Sequence, residues 1–299
     1  MLISSIYSIF APFCTMFMEI FDRKKELNSF IMEQRKKDHS IGLVPTMGAL
    51  HTGHISLAKK ALSENDLVVV SIFVNPTQFD KKDDLEKYPR TFEKDIELLK
   101  QVSDKIVVFA PTVDEIYEGK LKSESYEFDG LDKVMEGEFR SGHFDGVGTI
   151  VELLLRTVAP DRAYFGEKDF QQLQIIRKMA EIKDLPFAII GCPIEREQNG
   201  LAMSSRNERL SKNTRAQAGF IHTTLQAAKA KFGTKSAVDI KDWAKSEFEQ
   251  HPLFDLEYFE IADENTLTPA LKIQDNQKYR AFIAVYADGV RLIDNLRLN

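Results

Sequence analysis

Apolar and polar positions fall into two textures along the 299 residues. Up to about residue 193, short apolar runs alternate with segments of helical spacing. The runs at 41–44, 67–75, 105–111, 162–165 and 186–193 are mostly apolar and show little alternation, which is how strands buried on both faces read. Leu27, Phe30 and Ile31 lie at i, i+3, i+4 within 22–37, predicting a short amphipathic helix packed on a sheet edge. Ile55, Leu57, Ala58, Ala61 and Leu62 predict a second helix; Phe92, Ile96 and Leu99 predict a third within 91–102. The nearly all-apolar segment 147–158 predicts a buried helix ended by Pro160, and Leu173, Ile176 and Ala180 predict one more. Five strands alternating with helices imply an α/β fold with a doubly wound, mostly parallel, Rossmann-like sheet. Residues 112–135 are polar and irregular and read as an excursion from that sheet.

Beyond residue 194 the pattern becomes α+β. It predicts helices at 213–232 and 236–250, a strand around 256–261, and a hairpin whose arms flank Asp288 and Gly289. The expected layout is therefore an N-terminal extension over 1–17, a Rossmann-like domain over 18–193 and a smaller α+β C-terminal lid domain over 194–299, in line with ordinary domain sizes. Residues 1–17 are apolar and uncharged but carry Pro12, and they fit neither a signal peptide nor a spanning helix well. They read as an upstream extension to a start at Met16 or Met18, with a membrane anchor or a docking segment as alternatives.

Forty basic against forty-six acidic side chains give a net charge of −6, so no overall basic field favours a nucleic-acid backbone. Cys14 and Cys192 are the only cysteines and form no CxxC pair, which excludes a cysteine zinc site and points to a reducing cytoplasm.

Candidate chemistry clusters where predicted strands give way to helices. After the first core strand comes a turn rich in Thr and Gly, then His51 and His54 at a helix start. Unpartnered N–H groups and the positive end of a helix dipole stabilise an anion there, most simply a phosphate. A metal pair or a structural pair are the alternatives for HTGH. GEKD at 166–169 places Lys168 in a turn ahead of a helix, as a phosphate neutraliser or an ordinary surface turn. Ser204, Ser205 and Arg206 offer two hydroxyls and a guanidinium, which suit a phosphate or a helix cap. Asn75 and Gln78 follow the second core strand, where ligand-contacting loops of open α/β sheets lie. The charged segment 80–87 reads as a mobile cover over a pocket or a solvated loop.

Taken in order, PTMGALHTGH, VSIFVNPTQF, RSGHFDGV, FGEKDFQQL, GLAMSSRN and RLIDNLRL resemble the pantothenate synthetase (pantoate–β-alanine ligase) family, over about Met18 to Leu298. The first and the MSSR elements also look like signatures of the class I aminoacyl-tRNA synthetase and nucleotidyltransferase superfamily. The resemblance implies an ATP-dependent ligase of pantothenate biosynthesis that forms an acyl adenylate, with ATP and Mg²⁺, as a cytoplasmic homodimer without nucleic-acid or membrane partners. By that resemblance Met47, Gly48, Ala49, Leu50, His51, Thr52, Gly53 and His54 line the ATP site, with His54 the proton donor. Gly166, Glu167, Lys168 and Asp169 form its second segment, Glu195 meets adenine through its backbone, and Met203, Ser204, Ser205 and Arg206 close over the triphosphate. His51, His54, Lys168, Ser204, Ser205 and Arg206 are the implied catalytic set, and no protein metal ligand is implied. Gln78 and Gln172 match the pantoate glutamines, Gln78 is also implied for β-alanine, and Asn75 and Arg140 are weaker matches. Phe73 and Val147 are candidates for an apolar wall against pantoate's methyl groups, or plain core. Ser141 stands where the family usually has Pro, so the loop before Gly142 is less restrained. A phosphate-acceptor nucleotidyltransferase and an inactive nucleotide-binding relative are the rival readings.

Overall fold

A computed structural model describes residues 18–79 and 82–299. The extension over 1–17 and residues 80 and 81 of the expected cover lie outside the described residues. In chain order the first sheet is built from β1 (Ile20–Phe21), α1 (Lys24–Arg35), β2 (Ile41–Thr46), α2 (Thr52–Glu64), β3 (Leu67–Ile72), α3 (Lys82–Glu86), α4 (Phe92–Lys100), β4 (Ile106–Phe109), α5 (Val113–Tyr117), α6 (Glu136–Phe139), α7 (His143–Val158), β5 (Arg162–Gly166), α8 (Phe170–Ile182) and β6 (Ala188–Cys192). Its six strands are parallel, in the order β1-β4-β3-β2-β5-β6.

The lack of alternation in the strands has a simple cause. Successive side chains point to opposite faces, and both faces are buried. Leu43, Val69, Val107 and Ala163 enter one core with α1, α7 and α8. Val44, Val68, Val70, Val108 and Tyr164 enter the other, with α2 and α4. The sheet is thus doubly wound, with one strand more than the five expected. The added strand, β1, has two residues, pairs with Val108 and Phe109 of β4, and is too short to show a period.

The remaining chain forms α9 (Lys212–Gln217), α10 (Gly219–Lys231), α11 (Ala237–Glu249) and an antiparallel sheet of β7 (Asp255–Asp263), β8 (Tyr279–Ala287) and β9 (Val290–Arg297) around its own core. Asp288 and Gly289 both have positive φ, as a tight hairpin requires. The single helix expected over 213–232 is two. A Cβ on Gly219 would lie 2.0 Å from the Asn199 carbonyl oxygen, so a passing strand of chain occupies the space at the break. Among the described residues no helix is long and apolar enough to cross a membrane.

Candidate active site

The chain runs β2, β3, β4 to one side and then returns to place β5 and β6 on the other. The switch point lies between β2 and β5, and the crevice beyond their carboxyl ends is where an open α/β sheet takes ligands. A cavity of about 270 Å³ opens there. From the β2 turn it is lined by Met47, His51, Gly53 and His54, and from the β5 turn by Gly166, Lys168 and Asp169. Glu195, Met203, Ser204, Ser205 and Arg206 close it from the later chain, and Gln78, Gln172, Phe73 and Val147 complete a further wall. Segments more than 150 residues apart in the chain therefore share one space.

The β2 turn is shaped by buried polar contacts. Gly48 has φ +78°, and a Cβ there would sit 3.1 Å from the Asp95 carboxylate. Asp95, 1 % exposed, accepts the N–H groups of Ala49 (2.9 Å) and Leu50 (2.8 Å) and the Thr91 hydroxyl (3.0 Å). Its side chain fixes the approach to α2. His51 caps that helix: its Nδ1 accepts the Gly53 N–H at 3.2 Å, and His54 Nδ1 accepts the His51 N–H at 3.3 Å. Both Nδ1 atoms are acceptors, so in each neutral ring the proton sits on Nε2. The rings lie 4.1 Å apart. Burial, with the Lys168 charge second, lowers the His51 pKa to about 4. Burial, then His51 and Lys168, lowers that of His54 to about 3.

Both imidazoles are thus uncharged at neutral pH. Followed by NMR, neither ring is expected to titrate between pH 5.5 and 8; a midpoint near the ordinary value of about 6.5 would contradict the burial described here. The same shifts set a stability trend. Protons bind more tightly to these histidines in the unfolded chain, so stability is held above about pH 6.5 and falls as pH drops toward the folded midpoints.

Beyond β5, a 3-10 turn at Glu167–Asp169 carries Lys168, whose Nζ lies 3.7 Å from Asp169. Asn295 of β9 donates to the carbonyls of Glu167 and Lys168. The Glu195 and Met203 segments meet in a hairpin: the Met203 N–H donates to the Glu195 carbonyl (2.9 Å), and Arg196 bridges to Ala202. Ser56 donates to the Glu195 carboxylate at 2.7 Å, tying the hairpin to α2. Ser204 accepts the Arg206 N–H at 3.2 Å, so the capping reading of that serine holds beside its place in the cavity wall. The Arg206 guanidinium lies 5.8 Å from the Tyr88 ring centre.

Gln78 ends a 3-10 turn at Pro76–Gln78 that leans on α7. Asn75, 1 % exposed, donates to the Gly146 carbonyl and to Gln78 Oε1, and accepts the hydroxyls of Tyr117 and Thr77. Its amide holds Gln78 in place. His143 Nδ1 donates to the Gln78 carbonyl at 2.8 Å while its Nε2 accepts from Arg140, and burial beside that guanidinium lowers its pKa to about 4. Within FQQLQ the two glutamines divide. Gln171 is buried and bonded to the backbone of Leu131, Val134 and Glu136, whereas Gln172 faces the cavity. Phe73 and Val147 are both core and cavity wall.

Gly48, Ala49, Leu50, Thr52 and Glu167 do not line the cavity. Leu50 packs in the core beside α2, and the Glu167 carboxylate faces Arg280 at 3.5 Å. Of the expected cover, 82–86 form the short helix α3. Sequence reasoning missed Asp95, whose position in the first turn of α4 looks like an ordinary dipole-complementing acid. It assigned no role to His143 or Asn295, although RSGHFDGV and RLIDNLRL both carried the resemblance. Buried Glu136 was missed too. Burial opposes its ionisation, but Arg291, at 2.6 and 2.8 Å, outweighs that and holds its pKa below the ordinary value.

Comparison with known proteins agrees with this geometry. The profile of the family described as Pantoate-beta-alanine ligase matches residues 19–297. A pantothenate synthetase of Christiangramia forsetii is 55 % identical over 282 residues, covering 94 % of this chain and 100 % of the relative. One from Flavobacterium psychrophilum is 53 % identical over 281 residues, with 94 % and 100 % covered. Among solved structures, pantothenate synthetase from Thermus thermophilus superposes with a TM-score of 0.86 at 36 % identity, covering 94 % of this chain and 99 % of that one. The pantoate-beta-alanine ligase of Francisella tularensis, solved with beta-gamma ATP and beta-alanine, superposes with a TM-score of 0.77 at 35 % identity, covering 94 % and 98 %. With nearly the whole chain matched and the six motif segments gathered at one crevice, the chain belongs to the pantoate-beta-alanine ligase family.

Proposed function

We infer that the protein condenses pantoate with β-alanine at the expense of ATP, giving pantothenate, AMP and pyrophosphate through a pantoyl adenylate. The observation that carries this reading is the shared cavity: phosphate-grade donors on one side, side-chain amides and an apolar wall on the other. A carboxylate is a poor acylating agent. Its oxygen attacks the α-phosphorus of ATP, the bond from that phosphorus to the bridging oxygen breaks, and pyrophosphate leaves.

Negative charge grows on phosphate oxygens in that step. Lys168 and Arg206 supply full positive charges, the α2 N-terminus supplies its dipole, and His51 and His54 act as neutral Nε2–H donors. Ser204 and Ser205 add hydroxyls. Met47, Gly53, Gly166, Asp169 and Met203, which line the cavity, shape the ATP walls on this reading, and Glu195, also in the lining, meets adenine through its backbone as the resemblance implies. Gln78 and Gln172 hold the pantoate hydroxyls, with Phe73 and Val147 against the methyl groups, and Gln78 also receives β-alanine. Among the described residues no three His, Cys, Asp or Glu side chains cluster as a metal site. Mg²⁺ bound with ATP would add positive charge at the phosphates beside Lys168 and Arg206. In the second step the neutral amine of β-alanine attacks the activated carbonyl, the bond to AMP breaks, and the amine gives up a proton. Positioning is the main service there. Residues 18–193 form the ATP- and pantoate-binding domain and 194–299 the domain that closes it, in a cytoplasmic homodimer as the family resemblance implies.

The purified protein is expected to release AMP from ATP only when pantoate and β-alanine are both supplied at turnover. AMP release indifferent to β-alanine would sink the ligase reading. Transfer of the nucleotide to a phosphate acceptor would favour the nucleotidyltransferase rival.

A further inference from the structure

We propose that Asn295, on the last strand of the C-terminal sheet, is a positioning residue for Lys168. The inference rests on the reading of Lys168 as a donor to the phosphates. Asn295 is 2 % exposed, and its Nδ2 donates to the carbonyls of Glu167 and Lys168, each at 2.9 Å. Those carbonyls belong to the two peptide planes that flank the Lys168 Cα. Holding both from one NH₂ group fixes φ and ψ at that residue, and with them the direction in which its side chain leaves the turn.

The amide has one orientation open to it. Its Oδ1 accepts Arg280 Nη1 at 2.6 Å, and a flipped amide would set donor against donor and acceptor against two acceptors. Arg280, 3 % exposed, is itself braced. It donates to Glu264 at 2.8 and 2.9 Å, approaches the Glu167 carboxylate, and lies 3.9 Å above the Phe170 ring. Glu264, 4 % exposed, also receives Arg297. A buried polar chain thus runs from Glu264 through Arg280 and Asn295 to the backbone of the lysine turn, and its members depend on one another. The C-terminal sheet holds the β5 turn from outside the parallel sheet, so the later domain acts on the phosphate site through structure as well as through its own side chains.

Asn295→Asp keeps the shape but faces two carbonyls with an acceptor; Asn295→Ser removes the contact and serves if the first variant does not fold. At saturating ATP and pantoate, either substitution is expected to slow pantoyl adenylate formation about 10- to 100-fold, as misplacement of a charge-stabilising group does. The second step, started from supplied pantoyl adenylate and β-alanine, is expected to stay within about twofold of wild type, because Lys168 serves the first step. In the Lys168→Ala background the Asn295 substitution should cost less than about twofold more, since a residue acting through another is not additive with it. Multiplicative losses, or equal slowing of both steps, would overturn the proposal in favour of direct substrate contact or general unfolding. A first-step rate unchanged in both variants would overturn it as well. Failure of the wild type itself to make pantoyl adenylate would instead count against the ligase reading.

Discussion

Replacing Lys168 by alanine is expected to slow pantoyl adenylate formation by about 100- to 1000-fold, the usual cost of removing one donor aimed at developing charge. The site makes the loss severe because its lining carries few cations: Lys168, Arg206 and Arg140, the last held against His143 and the Gln78 carbonyl. His51 and His54 are held neutral by burial, with midpoints at about 4 and about 3, so they offer hydrogen bonds without a full charge. Serine hydroxyls offer no more. The positive charge facing a triphosphate therefore falls on Lys168, Arg206 and the α2 dipole. Lys168 is also one of the causes that depress both imidazoles, so its removal should raise their midpoints from those low values. Rapid-quench measurement of the first turnover, paired with NMR titration of the rings, checks both parts. A first-step rate within about threefold of wild type, with unmoved histidine midpoints, would remove Lys168 from the mechanism. His54→Ala is expected to fall in the same range, about 100-fold or more, and to expose the His51 N–H that its ring accepts.

The parallel sheet was legible because each of its longer strands feeds two cores at once and so shows a mostly apolar run with little alternation. β1 was not, since two residues cannot display a period. α7 begins at His143 rather than Val147, because its first turn is chosen by tertiary contacts: His143 reaches Gln78, and Gly146 lets α7 press on the Thr77 backbone. The break between α9 and α10 is likewise set by Asn199, twenty residues earlier. At the site, the cavity-lining residues of the β2 and β5 turns were readable, since Gly-rich turns before helices announce them. Those that hold the turns were not. Asp95 and Asn295 bond to backbone N–H and C=O groups, and any residue can supply those, so nothing in the partner segment marks the contact. Their polar identity at buried positions was the only trace, and burial is not visible in one sequence.

Gly146→Ala is expected to damage pantoate binding far more than ATP binding. A Cβ at this position would lie 2.3 Å from the Thr77 carbonyl oxygen, 2.7 Å from its carbon and 2.9 Å from the Gln78 Cα. All three are backbone atoms, so no side chain can swing aside. Either α7 backs away from the turn at Pro76–Gln78 or the turn moves, and both break the same lattice of contacts. The Asn75 amide donates to the Gly146 carbonyl at 3.2 Å, the His143 imidazole donates to the Gln78 carbonyl at 2.8 Å, and Tyr117 anchors Asn75 at 2.6 Å. Overpacking of this kind costs about 1–3 kcal/mol of stability. Because the displaced atoms carry Gln78, the KM for pantoate should rise by about tenfold or more, a loss of roughly 1.4 kcal/mol in binding. The backbones of the β2 and β5 turns are held by other contacts, with Asp95 and Asn295, and Gln78 reaches the β2 turn through the Met47 sulfur, a flexible side-chain contact, so the KM for ATP should change by less than about threefold. Steady-state kinetics with each substrate varied in turn separates the two. Equal rises in both constants would mean that the glycine merely supports the fold, whereas an unchanged pantoate KM would detach Gln78 from pantoate.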